Sequence, residues 1–509
     1  MRNSFLTRNL FLSYWHLATR QLVAVSPSAS TVRALPARIR TAVMSRPLGR
    51  KLVTTDKELS RRVWRLALPS IGEQLLALGV GVSDTFLAGH LTASAQRQVG
   101  YDQATAVASV GIASTTTWIL LTTFFAVGVG ATALVARATG ARDESLARRG
   151  AEQAILLGFL GGLALFVLAA PMAEFVLTLL GVTGRVAQLG AQFIRVFTFA
   201  LPGIGIASAA NAAMRGSGDT RRPLIVMLSV NGTNVLASWI LLNGLPALHI
   251  PAIGVVGSAV GAASGWLLGA VVALSFLRRE HTAAPRVTWA GLRRFDRDIT
   301  RRILHVGLPS AAELTVFQGG LIAFGRMVIG LGPTSYAAYT TINTVESLGT
   351  LPGLGFAVAA TALVGQSLGA HDTALAERSV WAALRPAVIV MGSIALLALV
   401  LPHLMFGLFV ADPAVARVGE AAMRISMITI TASAFAFVFN GALRGAGDTK
   451  FPVLVRAGGT WGFRLPLALL LIPPFGLLGA RVAMALDYIA QSSMSYWRFR
   501  SGKWRKARV

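Results

Sequence analysis

Uncharged apolar runs recur at residues 117–135, 154–170, 224–242, 255–277 and 386–401, each near the about 20 residues that a helix needs to cross a bilayer. Lipid offers no water to a stray backbone amide, so runs of this kind must be helical. They dominate the chain. Only 13% of its 509 residues are charged, against about 25% in soluble domains, and the mean hydropathy is +0.63. One anchor on a soluble body would not depress the charge so far. The absence of Cys excludes disulfides, thiolate metal sites and cysteine nucleophiles.

A formal net charge of +26 invites a nucleic-acid partner, but its distribution argues otherwise. Basic residues crowd into alternate gaps between the runs. Arg137, Arg142, Arg148 and Arg149 fill one gap, and Arg215, Arg221 and Arg222 another. A third holds the series from Arg278 to Arg302, and Lys450 and the tail from Arg498 complete the pattern. The intervening gaps are almost uncharged, with His249 alone ionisable in 243–253. This positive-inside pattern predicts cytoplasmic termini and a cytoplasmic central loop in a bacterial inner membrane. Nucleic acid is not an expected partner. Membrane lipids are, with the basic tail 499–509 against anionic headgroups. Residues 1–55 stand apart, basic and without an acid before Asp56. They read as a transit peptide or as a reading frame begun too far upstream, with Met44 as the start; the Arg-over-Lys bias fits the second.

Internal repetition sets the architecture. Arg215-Gly-Ser-Gly-Asp219-Thr returns as Arg444-Gly-Ala-Gly-Asp448-Thr, and the Leu134–Gly140 segment as Leu363–Gly369, both displaced by 229 residues. Arg195 and Arg424, and Asn211 and Asn440, keep the same displacement. Leu68-Pro69-Ser70-x-x-Glu73 returns as Leu308-Pro309-Ser310-x-x-Glu313, displaced by 240, which puts 11 extra residues near 92–103 in the first half. The expected fold is an all-α polytopic membrane protein with about 12 transmembrane helices. They form two parallel six-helix repeats around a central cavity. The expected parts are an N-terminal extension (1–55), an N-lobe (56–278), a cytoplasmic linker (279–298), a C-lobe (299–498) and the tail. Alternating access requires the linker to be slack enough for the lobes to rock. Asp219 and Asp448, just past helix ends, are expected to cap the next helix.

These segments resemble the MATE (multidrug and toxin extrusion) family, particularly its bacterial branch named for DNA-damage-inducible protein F. The resemblance runs through Leu66-Ala-Leu-Pro69 and Val82-Ser-Asp84-Thr-Phe-Leu-Ala-Gly89 to Gly130-Ala-Thr-Ala-Leu-Val-Ala136. It continues with Glu346-Ser-Leu, Pro352-Gly-Leu-Gly355 and Leu443-Arg-Gly-Ala-Gly-Asp-Thr449, and covers roughly residues 60–500. It implies two six-helix lobes around a cavity and export of amphiphilic, often cationic compounds against inward H⁺ or Na⁺. No cofactor beyond the coupling ion, no enzymatic activity and a monomer are expected. No ATP-binding loop is present, and the acid or His clusters of a membrane-embedded enzyme are missing.

Intramembrane carboxylates are costly, so they are functional candidates by default. Asp84 matches the family's first-helix Asp, the implied coupling site. The competing reading is a static ion pair with Arg195. Asn231, Asn234 and Ser238 share one face of the fifth helix, and Asn234 matches a family Asn beside that Asp. Ser238 and Ser433 stand where relatives of the family carry Asp, which tilts the coupling ion towards H⁺. By the 240 displacement Asp84 maps to Phe324, so the second half is expected to lack an equivalent acid, with Phe324 as apolar cavity wall. Glu346 matches a family acid, or braces a helix broken at Pro352. Asn211, Asn440 and Glu313 are further supports to the cavity. Glu73 and Glu313, at equivalent positions, suit a shared structural role such as pairing with Arg. Arg424 joins Arg195 as a charge-pair candidate. A flippase for a lipid-linked precursor is the alternative function. It draws on the intramembrane Arg195, Arg326, Arg424, Arg464 and Arg481.

Overall fold

The computed structural model describes residues 55–278, 285–410 and 412–507. The questions about residues 1–54, Met44 included, lie outside them. The described residues form helices joined by short loops. Ten helices are long and apolar enough to cross a membrane, and Gly184–Thr198 with Leu201–Ser217 makes a further crossing bent by 54°. The 51-residue stretch Lys450–Arg500 would extend about 76 Å if straight, more than twice a bilayer core. It turns at Gly476 (φ 54°, ψ −131°), behind Pro473 and Pro474, and so crosses twice. The described residues therefore make twelve crossings, six in each half.

The first six spans are Asp56–Gly89, Gln103–Gly140, Glu144–Leu179, the bent pair, Arg221–Asn243 and Val255–Arg278. The seventh to tenth are Arg297–Ile329, Pro333–Gly369, Thr373–Val400 and Pro413–Ala446, with the eleventh and twelfth flanking Gly476. The eighth runs unbroken through Pro352, so Glu346 braces no break there.

Bonds recur at the displacement seen in the sequence. The Thr132 hydroxyl donates to Ala212 O (3.1 Å), and its counterpart Thr361 to Gly441 O (2.8 Å). Asp143 caps the third span through Leu146 N, and Asp372 caps the ninth through Leu375 N. The Leu146 amide and the Ser145 hydroxyl hold the Asp143 carboxyl below its usual range. Gly218 and Gly447 take the same left-handed turn (φ 90° and 88°). Past it the copies part. Asp219 caps Arg221 and Arg222, whereas Asp448 pairs with Arg498 Nε (2.7 Å).

The 11-residue surplus forms a short helix, Ala93–Val99, capped by Thr92 and Gly100. It lids the loop between the fifth and sixth spans. Gln98 accepts from Ala252 N (3.0 Å), and Tyr101 Oη from Val255 N (2.7 Å).

The halves meet near the arginine-rich face. There the second and eighth spans touch backbone to backbone, because a Cβ on Gly140 would strike Gln366 and one on Gly369 would strike the Arg137 carbonyl. Arg62 donates to Gln366 Oε1 (2.8 Å), whose Nε2 donates to Gly216 O (2.9 Å). The far half of the second span, Gln103–Thr122, instead packs against the fourth and sixth spans of its own lobe. In the near half of the second span, Gly130 lies against the Ile303 carbonyl of the seventh.

The described part of the linker is docked. The buried Glu152 carboxylate accepts from both Thr288 N (2.9 Å) and Thr288 Oγ1 (2.8 Å). Gln153 accepts from Asp296 N and donates to Arg294 O. Slack therefore does not extend to residues 287–296. Glu152→Ala removes two bonds to a charged acceptor, each worth about 1.5–3 kcal/mol. Limited trypsin digestion is expected to cut at Arg293 and Arg294 much faster in that variant. The basic tail is likewise packed, with Trp504 buried on Phe499 and Arg137 donating to Ala507 O (2.9 Å).

Candidate functional site

Asp84 sits on the first span beyond Pro69, buried at 3% exposure. Its partners are neutral. Ser258 Oγ of the sixth span donates to Asp84 Oδ1 (3.4 Å), and Asn234 of the fifth span lies beside the carboxyl. Ser238 Oγ lies one turn further along, 2.8 Å from Asn234 Oδ1 and 3.2 Å from Ser258 O. Asn234 Nδ2 completes no well-aligned bond of its own, which leaves a donor waiting beside the acid.

Arg195 is not a partner. It lies near the break in the fourth span, on the lobe's exterior, and donates to Glu174 Oε2 (3.0 Å) with 46% of its side chain exposed. Its side chain turns outward to Glu174 and so does not reach the Asp84 carboxyl. No Arg, Lys or His among the described residues forms an ion pair with Asp84.

Asn231 faces elsewhere. With Leu76, Gly79, Ser83, Val235 and Trp239 it lines a groove of about 690 Å³ between the first and fifth spans, one residue along from Asp84. That volume is in the range of small-molecule sites. Asn211 and Asn440 are buried on the fourth and tenth spans. Asn440 accepts from Ser495 (3.0 Å), while Asn211 Oδ1 has no partner.

The other candidate carboxylates, Glu73, Glu313 and Glu346, are neutralised by arginine. Glu73 pairs with Arg215 (2.5 Å) and Glu313 with Arg444 (2.7 Å), a bond repeated between the lobes. Glu346 pairs with Arg481 (3.0 Å), which also donates to Tyr339 O. Arg424 and Arg326 are exposed and make no ion pair among the described residues. Phe324 is fully buried, so it belongs to the core and lines no cavity. The sequence reading missed one acid altogether. Asp487 on the twelfth span is fully buried and paired with Arg464 (2.6 Å).

Two lobes of six parallel-repeated spans, with a carboxyl buried among neutral partners within the spans of one of them, define a membrane transporter of the two-lobe type. The MatE family model matches residues 69–240 and 309–470, one match in each half, and the chain belongs to that family. It is 28% identical over 459 residues to the probable multidrug resistance protein NorM of Thermotoga maritima, covering 89% of this chain and 94% of that one. It is 27% identical to the multidrug resistance protein NorM of Burkholderia vietnamiensis, covering 90% and 96%. A crystal structure of MATE in the bent conformation superposes with a TM-score of 0.79 at 20% identity, covering 89% and 99%. An outward-facing multidrug resistance MATE transporter of the MOP superfamily superposes at 0.76, 20% identity, 88% and 97%.

Proposed function

We propose that this protein is a secondary antiporter exporting amphiphilic, cationic compounds across the bacterial cell membrane, driven by H⁺ entering through Asp84. The lobes 56–278 and 299–498 would rock about the linker with both termini cytoplasmic, and the protein would work as a monomer among membrane lipids. The observation that carries the reading is the setting of Asp84, a buried carboxyl bonded by Ser258, with Asn234 beside it and no counter-ion among the described residues. A charge with no counter-ion in low dielectric is unfavourable, and a proton removes it. The relatives named for multidrug resistance support the substrate class.

H⁺ is favoured over Na⁺ because the carboxyl stands alone. A Na⁺ shell needs several oxygens, and Asn234 Oδ1 is already engaged by Ser238. Proteoliposomes loaded with ethidium should export it under an imposed pH gradient and not under a Na⁺ gradient of equal size. Export driven by Na⁺ alone would reverse the assignment. Three of the five arginines behind the flippase alternative are spent elsewhere, since Arg464 and Arg481 are fully buried in ion pairs and Arg195 turns to Glu174, which leaves it Arg326 and Arg424.

A further inference from the structure

The C-lobe contains an altered copy of the Asp84 site. The displacement between the lobes is not constant along the chain. Gly254 and Gly476 make equivalent turns (φ 59° and 54°), and Gly257 and Gly479 press on equivalent backbone at Leu241 and Leu471. The sixth and twelfth spans are thus displaced by 222 residues, and the ends of the fifth and eleventh by 230. The extra residue in the eleventh span is taken up by its π-helical stretch Gly458–Arg464. In this register Asn234 corresponds to Arg464 and Gly265 to Asp487. The packing agrees, because a Cβ at Gly265 would press on Asn234, and Asp487 meets Arg464.

Asp84, Asn234 and Gly265 of the N-lobe therefore become Phe324, Arg464 and Asp487. The acid has moved from the first span of the lobe to the last and has gained a cation. Arg464 Nε donates to Asp487 Oδ2 (2.7 Å), and its guanidinium lies over the Phe324 ring (5.8 Å) and the Tyr488 ring (5.3 Å). Gln491 Nε2 donates to Asp487 Oδ1 (2.7 Å). The other charged groups nearby are Arg456, which donates to Gln491 Oε1 (3.0 Å), and Glu313 behind it (3.7 Å). Thr460 Oγ1 and Arg464 Nη1 are buried without a hydrogen-bond partner, so polar capacity at the site is in excess of what the pair uses.

We propose that Arg464 is a tethered counter-cation. It occupies the place that a monovalent cation, H⁺ or Na⁺, would take beside Asp487, and so removes the C-lobe acid from ion exchange. One exchangeable carboxyl per molecule remains. This rests on the reading of Asp84 as the coupling group, so the test begins in an Asp84→Asn background, where that group is gone. Purified protein is titrated while the infrared carbonyl band of protonated carboxyls is followed, and ²²Na⁺ binding is measured in parallel.

Asp84→Asn/Arg464→Gln should gain one protonating carboxyl, or one bound Na⁺, relative to Asp84→Asn. The gain should vanish on adding Asp487→Asn. Arg464→Lys, which keeps a tethered charge, should gain nothing. A merely structural pair would lower the melting temperature in both Arg464 variants without adding a site. A folded Arg464→Gln protein that gains neither proton nor Na⁺ overturns the proposal, and so does equal gain in the Lys variant. Should the Gln variant not assemble, the converse decides: Asn234→Lys in the otherwise native chain should erase the Asp84 band. Persistence of that band refutes the tethered-cation rule. Wild type lacking any band that Asp84→Asn removes would count against the coupling reading alone.

Discussion

Asp84→Asn is expected to fold, insert and still bind ethidium, yet to export it under a pH gradient no faster than empty liposomes do. The amide has nearly the shape of the protonated acid and never carries its charge. Ser258 can bond to it as it bonds to the carboxyl, and Asn234, which lies beside it, can donate to an amide oxygen as to a carboxyl oxygen. What the variant cannot do is release a proton, and the loss should therefore fall on coupling while affinity survives. Arg195→Ala supplies the contrast. Its pair with Glu174 is exposed on both sides, and such pairs are worth about 0–1 kcal/mol. Export should stay near wild type in that variant. Dye binding and export checked together decide the matter: if Asp84→Asn keeps its export, coupling runs through another group.

The bundle of spans was legible because its cause is local. Each apolar run has to satisfy its own backbone in lipid, so run length and the alternation of basic gaps give the number of crossings without tertiary information. The repeat was legible wherever turns preserve it, as at Gly218 and Gly447. The Glu73–Arg215 and Glu313–Arg444 pairs follow from two conserved displacements meeting at one depth.

Side-chain partners across helices were harder. Arg195 qualified as a partner by residue type and span alone, whereas the direction of its side chain, towards Glu174, is set by packing between spans. Asp487 was missed for a related reason. A single displacement of 240 pairs Asp84 with Phe324, whereas one π-helical residue and a shortened loop move the register to 230 and then 222. The paired glycines Gly254-x-x-Gly257 and Gly476-x-x-Gly479 carry that shift in the sequence, and aligning on them would have set Asp487 against Gly265.

Gly140→Val, or equally Gly369→Val, is expected to break the seal between the lobes. At both positions the neighbour a side chain would meet is backbone, Gln366 in one case and Arg137 in the other, which cannot rotate aside. Insertion of methyl groups into packing this close costs about 1–3 kcal/mol. Here the lobes can relieve that cost by parting at the arginine-rich face, along the seam that the second span shares with the seventh as well as the eighth. A bias of that size shifts a two-state equilibrium about 5–150-fold towards the form open at that face. The chain has no Cys, so Ala136→Cys gives a single reporter opposite Gly365 in the seam. A membrane-impermeant maleimide applied from the arginine-rich side should label it slowly in the parent and at least about tenfold faster with Gly140→Val, with export falling in step. Gly140→Ala adds one methyl and should fall between. Unchanged labelling in the Val variant would mean that the seam adapts, and that closure of this face is held instead by Gln366, through its bonds to Arg62 and Gly216.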